Sequence, residues 1–262
     1  MNPFSLQDRT IAVVGAGSGI GEAVAKAVAT QGARVVCLDA NEAGAARVAS
    51  AIVEAGGESR SGVCDVADGE AVDRELDAAF AWKGRLDGVV CTPGINVRKP
   101  ILQYTEADFD RVLRVNMKGN FNVLRAAGRI LTTQGRGSIV LFSSIRSQVV
   151  EPGQSVYAAT KAAIVQMARG GAVEFAAKGV RVNAVAPGVV ETPLTAPIKA
   201  QPEWYGAYGA KPALKRWASA EEMAWPTVFL LSDASSYVTG SSLVVDGGWL
   251  AVDGRFDPPG MT

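Results

Sequence analysis

The sequence contains no histidine. Histidine is the only side chain whose ordinary pKa lies between pH 5 and 8, and it is the usual general base of enzymes. Its absence excludes a Ser-His-Asp hydrolase and removes the commonest ligand of a metal site. Proton transfer near neutral pH must therefore use another side chain with a shifted pKa.

Cysteine is scarce, with only Cys37, Cys64 and Cys91 in the chain. They stand too far apart for the short spacings of a zinc site, and no histidine is present to complete one. Each lies in or beside an apolar run, where cysteine commonly behaves as a small buried residue. We therefore expect no metal.

Charge of one sign is not in excess, because 26 Lys and Arg balance 26 Asp and Glu. Such a chain has no overall field that favours nucleic acid or an anionic membrane as a partner. The first nine residues lack the order of a secretion signal, and no apolar run approaches the length of a membrane span. We expect a soluble, cytoplasmic protein with a single domain over residues 1–262.

The chain is organised around the stretch Thr10–Glu22. Its apolar run Ile11–Val14 does not alternate with polar residues, which is typical of a strand buried on both faces of a parallel sheet. Glycines allow positive φ and close approach of the backbone, so the following turn can direct N–H groups at an anion beside a helix N-terminus. The pattern fits a nucleotide phosphate, or only a tight turn. The glycines are Gly15, Gly17, Gly19 and Gly21.

Downstream, apolar runs alternate with helical patterns in units of ~30 residues. This alternation predicts right-handed crossovers and an α/β fold, a Rossmann-like doubly wound parallel sheet of about seven strands with helices on both faces. Strands are predicted at 11–14, 34–39, 60–66, 85–91, 137–142, 179–186 and 242–245. Helices are predicted at 19–30, 41–55, 68–82, 105–131 and 219–231, with one more opening at 155.

Asp39 ends the second predicted strand, 18 positions after Gly21. That is close to the distance at which an acidic side chain meets the ribose hydroxyls in a dinucleotide fold. The carboxylate would accept hydrogen bonds from the ribose and repel a 2'-phosphate. The alternative is an ordinary turn aspartate before the helix at Asn41. With the glycine turn upstream we favour the ribose role, and therefore NAD over NADP.

Ser144, Tyr157 and Lys161 form a set that suits proton transfer. Ser144 follows the fifth predicted strand, and the ligand crevice of such a sheet lies beyond the carboxyl ends of its strands. Tyr157 and Lys161 are four residues apart, on one face of a helix. A tyrosine hydroxyl has an ordinary pKa of about 10, and a nearby ammonium group favours the phenolate. Ser144 could hold a substrate oxygen while Tyr157 exchanges a proton with it and carbon exchanges hydride with a nicotinamide.

Asn116 and Asn120 interrupt the apolar face of the helix predicted at 105–131. A buried amide costs free energy unless it is hydrogen-bonded, so Asn116 should have fixed partners. From the residues alone, a structural explanation, either a satisfied amide or a helix distortion, is as well supported as a functional role.

Together these motifs resemble the short-chain dehydrogenase/reductase family, in its compact branch with one Rossmann-like domain. The resemblance covers nearly the whole chain and includes the family's spacing of thirteen positions between the serine and the tyrosine. Its motifs are Gly15–Gly21, Asp65–Val66, Asn116, Ser144, Tyr157–Lys161, Asn183–Gly188 with Thr192, and Val245–Gly248.

The resemblance implies a role for each member of the catalytic set. Tyr157 would be the acid-base group, Lys161 its tuner and a ligand of the nicotinamide ribose, and Ser144 the hydroxyl that orients the substrate. Asn116 would anchor a water relay, so the resemblance favours a functional role for this residue over a structural one. Family members commonly form dimers or tetramers through the long helices and the final strand, so a homodimer or homotetramer is expected.

The resemblance also implies a set of cofactor contacts. Asp65 would meet the adenine, with the Val66 backbone beside it, and Val190 and Thr192 would contact the nicotinamide carboxamide. The expected NAD-binding residues are Gly15, Gly17, Ser18, Gly19, Ile20, Gly21, Asp39, Asp65, Val66, Gly94, Tyr157, Lys161, Pro187, Val190 and Thr192.

Two positions depart from the family pattern. Val14 stands where the family usually has a threonine before the first glycine, so one side-chain hydrogen bond is missing. The family's Asn-Asn-Ala-Gly after the fourth strand is replaced by Cys91–Gly94, in which Thr92 can still hydrogen-bond while Pro93 lacks an N–H. We expect a reshaped cofactor wall rather than loss of binding.

The substrate is less well indicated. Asn96, Arg98, Arg146 and Gln154 fall near the mouth of the crevice and suggest a hydroxylated or anionic substrate such as a polyol or sugar acid. Residues 191–217 lose periodicity and gather prolines and aromatics, which is typical of a substrate lid. Trp204, Tyr205 and Tyr208 could instead cover an aromatic or alicyclic alcohol. The expected substrate contacts are Asn96, Arg146, Gln154 and Trp204.

The main hypothesis is an NAD-dependent enzyme that interconverts a secondary alcohol and the corresponding ketone. The altered Cys91–Gly94 loop motivates a rival, a non-catalytic NAD(H)-binding sensor or scaffold. Reduction of 3-ketoacyl thioesters is a third possibility, although the balanced charge gives no support for an acidic carrier partner.

Overall fold

One parallel sheet of seven strands forms the centre of the protein in a computed structural model that describes residues 2–252. The strand order is β3-β2-β1-β4-β5-β6-β7, so the crossovers reverse direction between β1 and β4. Such a reversal opens a crevice at the carboxyl edge of a doubly wound sheet. The strands are β1 Thr10–Val14, β2 Arg34–Asp39, β3 Glu58–Val63, β4 Gly88–Cys91, β5 Gly137–Phe142, β6 Val180–Pro187 and β7 Ser242–Val245.

Helices cover both faces of this sheet. The principal ones are α1 Gly19–Thr30, α2 Glu42–Glu54, α3 Gly69–Lys83, α4 Glu106–Leu113, α5 Gly119–Gln134 and α6 Ser155–Phe175, followed by the short α7 Ala196–Lys199, α8 Pro202–Ala210 and α9 Glu221–Leu231. Within residues 2–252, no helix has both the length and the apolar character needed to cross a membrane.

The apolar strands divide their side chains between two cores. In β1, Ala12 and Val14 pack with α3, α5 and α6, whereas Ile11 and Val13 pack with α1, α2 and α9. All of β1 is buried, as expected for a strand inside a parallel sheet. The fold class predicted from the sequence is therefore confirmed.

Two predicted elements have different limits in the structure. The edge strand β3 ends at Val63 rather than 66, because Cys64 leaves the ladder while its N–H still donates to the Asp39 carbonyl. The helix predicted at 105–131 is three segments, with a π-helical turn, Arg114–Lys118, between α4 and α5. The hydrophobic periodicity did not reveal this π-helical turn, because α4 and α5, on either side of it, bury the same face.

Residues 191–217 contain regular structure that the sequence pattern did not indicate. Helices α7 and α8 lie within this range, so its description as an irregular segment was wrong. Pro202, which reads as a helix breaker, occupies the first turn of α8, where a missing N–H costs nothing. Aromatic residues on several sides of these helices hide any single apolar stripe. The sequence also predicts an irregular tail from Trp249 to Thr262, of which residues 253–262 lie outside the described residues.

Asp87 joins β1 to β4 at the amino edge of the sheet and is 7% exposed. Its Oδ2 accepts from the Thr10 N–H at 2.9 Å, and both oxygens accept from Arg85. We predict that Asp87→Ala lowers the free energy of unfolding by about 2–3 kcal/mol, because a buried N–H and a guanidinium lose their partner. Urea unfolding measures this loss.

The matched control removes a carboxylate that makes a similar bond at the surface. Asp233 accepts from Arg9 at 2.5 Å and is 75% exposed. Asp233→Ala should cost less than about 1 kcal/mol. Equal losses in the two variants would contradict the role given to Asp87.

Candidate active site

The glycine turn lies at the carboxyl edge of the sheet, between β1 and α1. Gly15 and Gly19 have φ of +85° and +54°, and a Cβ at Gly21 would come within 1.9 Å of the Gly15 carbonyl oxygen. These positions require glycine for both conformation and space. The turn therefore brings bare backbone to the start of α1, where an anion is favoured.

A cleft of about 440 Å³ runs along this turn. Most of the predicted cofactor residues meet there: Gly15, Ser18, Gly19, Ile20, Gly21, Asp39, Asp65, Val66, Gly94 and Thr192 line it. Gly17 does not line the cleft but donates its N–H to Asp39. Pro187 and Val190, at and beyond the end of β6, line neither this cleft nor the cavity beside it.

Asp39 is held rigidly at one end of the cleft. Its Oδ2 accepts from the Gly17 N–H and its Oδ1 from the Asn41 N–H, both at 2.8 Å. A Cβ at residue 17 would come within 2.9 Å of Oδ2. The glycine thus lets the carboxylate approach the phosphate turn, and this geometry suits a ribose bound between them.

The unusual loop after β4 forms the opposite wall. The Thr92 hydroxyl donates to the Val14 carbonyl at 3.0 Å, and the Thr92 N–H donates to the same oxygen. The Pro93 ring lies over the glycine turn, 3.0 Å from where a Cβ on Gly15 would be. Thr92 therefore closes the turn from the β4 side, in line with the expected reshaped wall.

Tyr157 and Lys161 lie on the first turns of α6, which two hydrogen bonds fix against the end of β5. Lys161 Nζ donates to the Phe142 carbonyl at 2.9 Å, and the Ser143 hydroxyl donates to the Lys161 carbonyl at 2.7 Å. The ammonium lies 5.5 Å from the centre of the Tyr157 ring. Ser144 Oγ accepts from the Arg146 N–H at 3.1 Å, which leaves the hydroxyl proton free to turn toward the cavity.

Burial controls the protonation of this pair. Burial lowers the pKa of Lys161 to about 8. It also raises the pKa of Tyr157, while the Ser144 hydroxyl and then the charges of Arg146 and Arg98 act in the opposite direction. The net direction for the phenol is upward, opposite to the sequence expectation, because desolvation of the phenolate outweighs these charges.

Asn116 is fully buried in the π-helical turn. Its Oδ1 accepts from the Ile95 N–H at 2.8 Å, and its Nδ2 donates to the Ile95 carbonyl and to the Thr160 hydroxyl. The amide is satisfied and the helix is distorted there, as the structural alternative requires. Its main-chain carbonyl accepts from Asn120 Nδ2 at 2.8 Å.

A second cavity, of about 290 Å³, adjoins the cleft, and Leu194 lines both. Ser144 and Tyr157 line the second cavity together with all four predicted substrate contacts: Asn96, Arg146, Gln154 and Trp204. Aromatic rings of α8 pack over it, with Tyr208 stacked on Trp217 at 5.6 Å between ring centres.

Sequence reasoning missed one central residue, Glu151. This carboxylate accepts from Arg98, Arg146, Gln154 and Tyr208 around the second cavity. In the sequence, the only indication of its importance was its position just before the Pro152-Gly153 turn, which precedes α6. Thr160, which bonds Asn116, was also missed, although it lies inside the tyrosine-lysine motif.

Some features of the molecule lie apart from this region. A groove of about 810 Å³ between α5 and α6 on the outer face carries none of the predicted catalytic, cofactor or substrate residues. Within residues 2–252, no group of three or more Cys, Asp or Glu side chains is arranged to hold a metal ion.

A glycine-lined cleft of this kind accepts a dinucleotide, and the adjoining tyrosine, serine and lysine can exchange a proton with a bound alcohol. The class of protein that combines the two is the nucleotide-dependent oxidoreductase. A family model described as enoyl-(acyl carrier protein) reductase matches residues 15–250.

Relatives are similar over nearly the whole chain. Identity is 36% to the D-threitol dehydrogenase of Mycolicibacterium smegmatis, over 94% of each chain. It is 40% to the cis-4-hydroxycyclohexanecarboxylate dehydrogenase of Sinomonas cyclohexanicum, over 94% of this chain and 98% of that one. The crystal structure of a gluconate 5-dehydrogenase from Burkholderia cenocepacia in complex with NADP and tartrate has a TM-score of 0.92 and 32% identity, covering 96% and 98% of the two chains.

The chain belongs to the short-chain dehydrogenase/reductase family. It is an oxidoreductase that interconverts an alcohol and a ketone with a nicotinamide cofactor. The family and reaction class predicted from the sequence are therefore confirmed, and the non-catalytic alternative is not supported.

Because the pKa of Lys161 is lowered in the folded protein, we predict that this residue reduces the free energy of unfolding by an amount that depends on pH. The folded amine loses its proton near pH 8, whereas the unfolded amine keeps it to about pH 10.4. Between these values the unfolded chain binds more protons, so stability rises with pH. We predict that Lys161→Met raises the free energy of unfolding at pH 7 relative to wild type by about 1–3 kcal/mol, and that this gain disappears near pH 10.

Urea unfolding at pH 7, 8, 9 and 10 measures the difference. Lys178→Met, which removes an exposed lysine, is the control and should show no such trend. A difference between wild type and Lys161→Met that is constant with pH would contradict the buried, depressed amine.

Proposed function

We propose that the protein interconverts a secondary alcohol of a small polyhydroxylated substrate, a polyol or a sugar acid, and the corresponding ketone, with NAD as the cofactor. The observation that carries this proposal is the cavity lined by Ser144 and Tyr157 next to the glycine-lined cleft, because two arginines and two side-chain amides also line it. Both cavities open at the carboxyl edge of the sheet, so a nicotinamide in one lies beside an alcohol in the other.

The cleft fits a dinucleotide in shape and chemistry. Its glycine turn offers bare N–H groups for a pyrophosphate, and Asp39 and Asp65 are acceptors for the adenosine half. A Cβ at Gly94 would come within 3.1 Å of Lys161 Nζ. Gly94 therefore leaves room for a ribose beside that ammonium. Thr192, which also lines the cleft, would contact the carboxamide.

The preference for NAD rests on charge. Asp39 would repel a 2'-phosphate, and the nearest cation cannot easily offset it. Arg47 donates to the Gly17 carbonyl at 3.0 Å, but its guanidinium is paired with Glu22 at 2.6 and 2.9 Å. The gluconate 5-dehydrogenase from Burkholderia cenocepacia has NADP bound, so similarity to relatives does not itself favour NAD.

Tyr157 is the acid-base group of the proposed reaction. Its phenolate takes the hydroxyl proton of the alcohol as the C=O bond forms, and in the reverse direction its phenol returns the proton. When bound, NAD accepts the hydride from the carbinol carbon. Ser144 donates a hydrogen bond to the substrate oxygen, because its hydroxyl proton stays free while its oxygen accepts from the Arg146 N–H.

Lys161 and Asn116 support the tyrosine. The ammonium of Lys161, 5.5 Å from the Tyr157 ring, opposes the effect of burial on the phenol when it is protonated. The amide of Asn116 is fully committed to Ile95 and Thr160. The relay role implied for Asn116 would therefore fall to its main-chain carbonyl, which also accepts from Asn120 Nδ2 at 2.8 Å.

A homodimer or homotetramer is part of the proposal. The α5–α6 groove exposes Phe121 (52% exposed) beside Arg125, Arg129 and Glu174. An apolar centre with charges of both signs at its rim suits a second copy of the same face.

We predict that Tyr157→Phe lowers kcat by about 10³-fold, because the change removes only the hydroxyl that exchanges the proton. NADH absorbance followed over polyols and sugar acids measures kcat. NADH binding, measured by fluorescence titration, should change by less than about twofold since the phenyl ring remains in place.

The matched control is Tyr237→Phe, which removes the same atom from a fully exposed tyrosine and should leave kcat unchanged. Turnover near the wild-type rate in Tyr157→Phe would refute the proposed mechanism.

Asp39→Asn tests the cofactor preference. The amide keeps the size of the carboxylate and one acceptor oxygen, but it loses the negative charge. We predict that the ratio of kcat/KM for NAD to that for NADP falls by about 10–100-fold, since ribose bonds weaken and a 2'-phosphate is no longer repelled.

Steady-state kinetics with both cofactors give this ratio. Glu42→Gln neutralises an exposed carboxylate nearby in α2 and should leave the ratio unchanged. A wild-type enzyme that works better with NADP would show that Asp39 does not select the cofactor.

A further inference from the structure

One carboxylate, that of Glu151, is bonded by four side chains beside the substrate cavity. Its Oε1 accepts from Arg98 at 2.9 Å. Its Oε2 accepts from Arg146 at 2.6 Å, from Gln154 at 2.7 Å and from the Tyr208 hydroxyl. These donors belong to the loop after β4, the turn after β5, the start of α6 and helix α8. Glu151 therefore connects four of the segments that line the cavity.

The cluster carries a net positive charge that faces the cavity. Arg98 and Arg146 line the cavity, whereas Glu151 lies behind them. Two guanidinium groups and one carboxylate leave a net charge of +1. The Arg146 side chain is only 8% exposed, so water screens this charge poorly.

Aromatic rings hold the guanidinium groups in place. Arg98 lies 4.9 Å from the centre of the Trp204 ring, and Arg146 lies 5.4 Å from that of Trp249. Within residues 2–252, Arg146 donates one side-chain hydrogen bond, to Glu151, so four of its five N–H groups remain available. Such a preorganised pair matches the geometry of a carboxylate.

An unpaired acceptor lies on the same cavity. Asn96 donates to Gln154 at 3.0 Å, but its Oδ1 is buried and has no partner among the described residues. A hydroxyl group on a bound substrate would satisfy it, since a buried acceptor without a partner costs free energy. The cavity therefore offers a cationic end and a separate acceptor for hydroxyl groups.

We propose that Glu151 tunes substrate specificity by setting the net charge of its cluster with Arg98 and Arg146 at +1, and that the two arginines bind the carboxylate of a hydroxy acid. The substrate class is then a sugar acid or similar hydroxy acid rather than a neutral polyol. This inference rests on the proposed function and narrows its substrate. Glu151 touches neither the reacting carbon nor the cofactor; it acts through the two arginines.

The test varies the charge of the cluster while the rest of the cavity is kept. Arg98→Met gives a net charge of zero and keeps an unbranched apolar stem against Trp204, and Glu151→Gln gives a net charge of +2. The probes are threonate and threitol, which differ only in a carboxylate or hydroxymethyl end, with gluconate and glucitol as a longer pair. Calorimetry measures their binding to the enzyme–NADH complex, in which the alcohols cannot react.

The preference for each carboxylate over its neutral partner should rise with the charge of the cluster. We expect roughly tenfold per unit charge, so Arg98→Met lowers the ratio and Glu151→Gln raises it, while the neutral alcohols change little. With NAD, the same changes should appear in the ratio of KM for each carboxylate to KM for its neutral partner, because the effect of the arginine charges on Tyr157 is common to both substrates of a pair.

Glu191→Gln is the matched control. Glu191 also accepts from a lysine and a tyrosine hydroxyl of the lid, Lys199 and Tyr205, but it does not line the cavity. Its loss should leave the preference unchanged. Thermal unfolding and NADH binding verify that each variant folds.

The inference is overturned if wild type does not bind either carboxylate, if it binds carboxylates and neutral alcohols equally, or if Glu151→Gln fails to raise the preference. Carboxylate binding with the expected charge dependence, but without NADH formation from NAD, would instead refute the proposed function and leave the role of Glu151 standing.

Discussion

The site depends on a buried hydrogen bond between the ammonium of Lys161 and the carbonyl of Phe142, at 2.9 Å. This bond and that of Ser143 to the Lys161 carbonyl fix the first turns of α6 against the end of β5. Tyr157, one turn before the lysine, and Ser144, two residues after the strand, are thereby brought to the same cavity. Burying an amine is costly, and the depressed pKa of about 8 measures that cost. Selection for packing alone would have favoured an apolar residue there.

The parts of the fold that could be predicted are those in which local burial or local backbone geometry alone decides which residue type occupies each position. Val14 and its neighbours in β1 must be buried on both faces. Gly15 must be glycine because its φ is +85°, and Gly21 must be glycine because a Cβ there would collide with the Gly15 carbonyl oxygen. Since the carboxyl ends of parallel strands meet at one edge, the order of the strands also brings the predicted catalytic residues together.

The parts that could not be predicted depend on partners distant in sequence. The π-helical turn at Asn116 is held by the backbone of Ile95, 21 residues away, and no period of the helix reveals it. Glu151 reads as a surface carboxylate because each donor lies on a different element. Helix α8 is stabilised by stacking on Trp217, so its own sequence shows no stripe. When polar groups are hydrogen-bonded by residues that are distant in sequence, the local sequence has no pattern that reveals the contact.

The raised pKa of Tyr157 bears on the direction of proton transfer. A phenol that stays protonated at neutral pH is ready to donate, which suits ketone reduction, whereas alcohol oxidation needs the phenolate. The Ser144 hydroxyl and then the charges of Arg146 and Arg98 oppose the effect of burial, and the two arginines are the same residues that face the proposed substrate carboxylate. A bound carboxylate would partly neutralise them and leave the Ser144 hydroxyl as the main influence that favours the phenolate. Substrate recognition and proton transfer therefore draw on one set of charges, so a change in the arginine pair alters both.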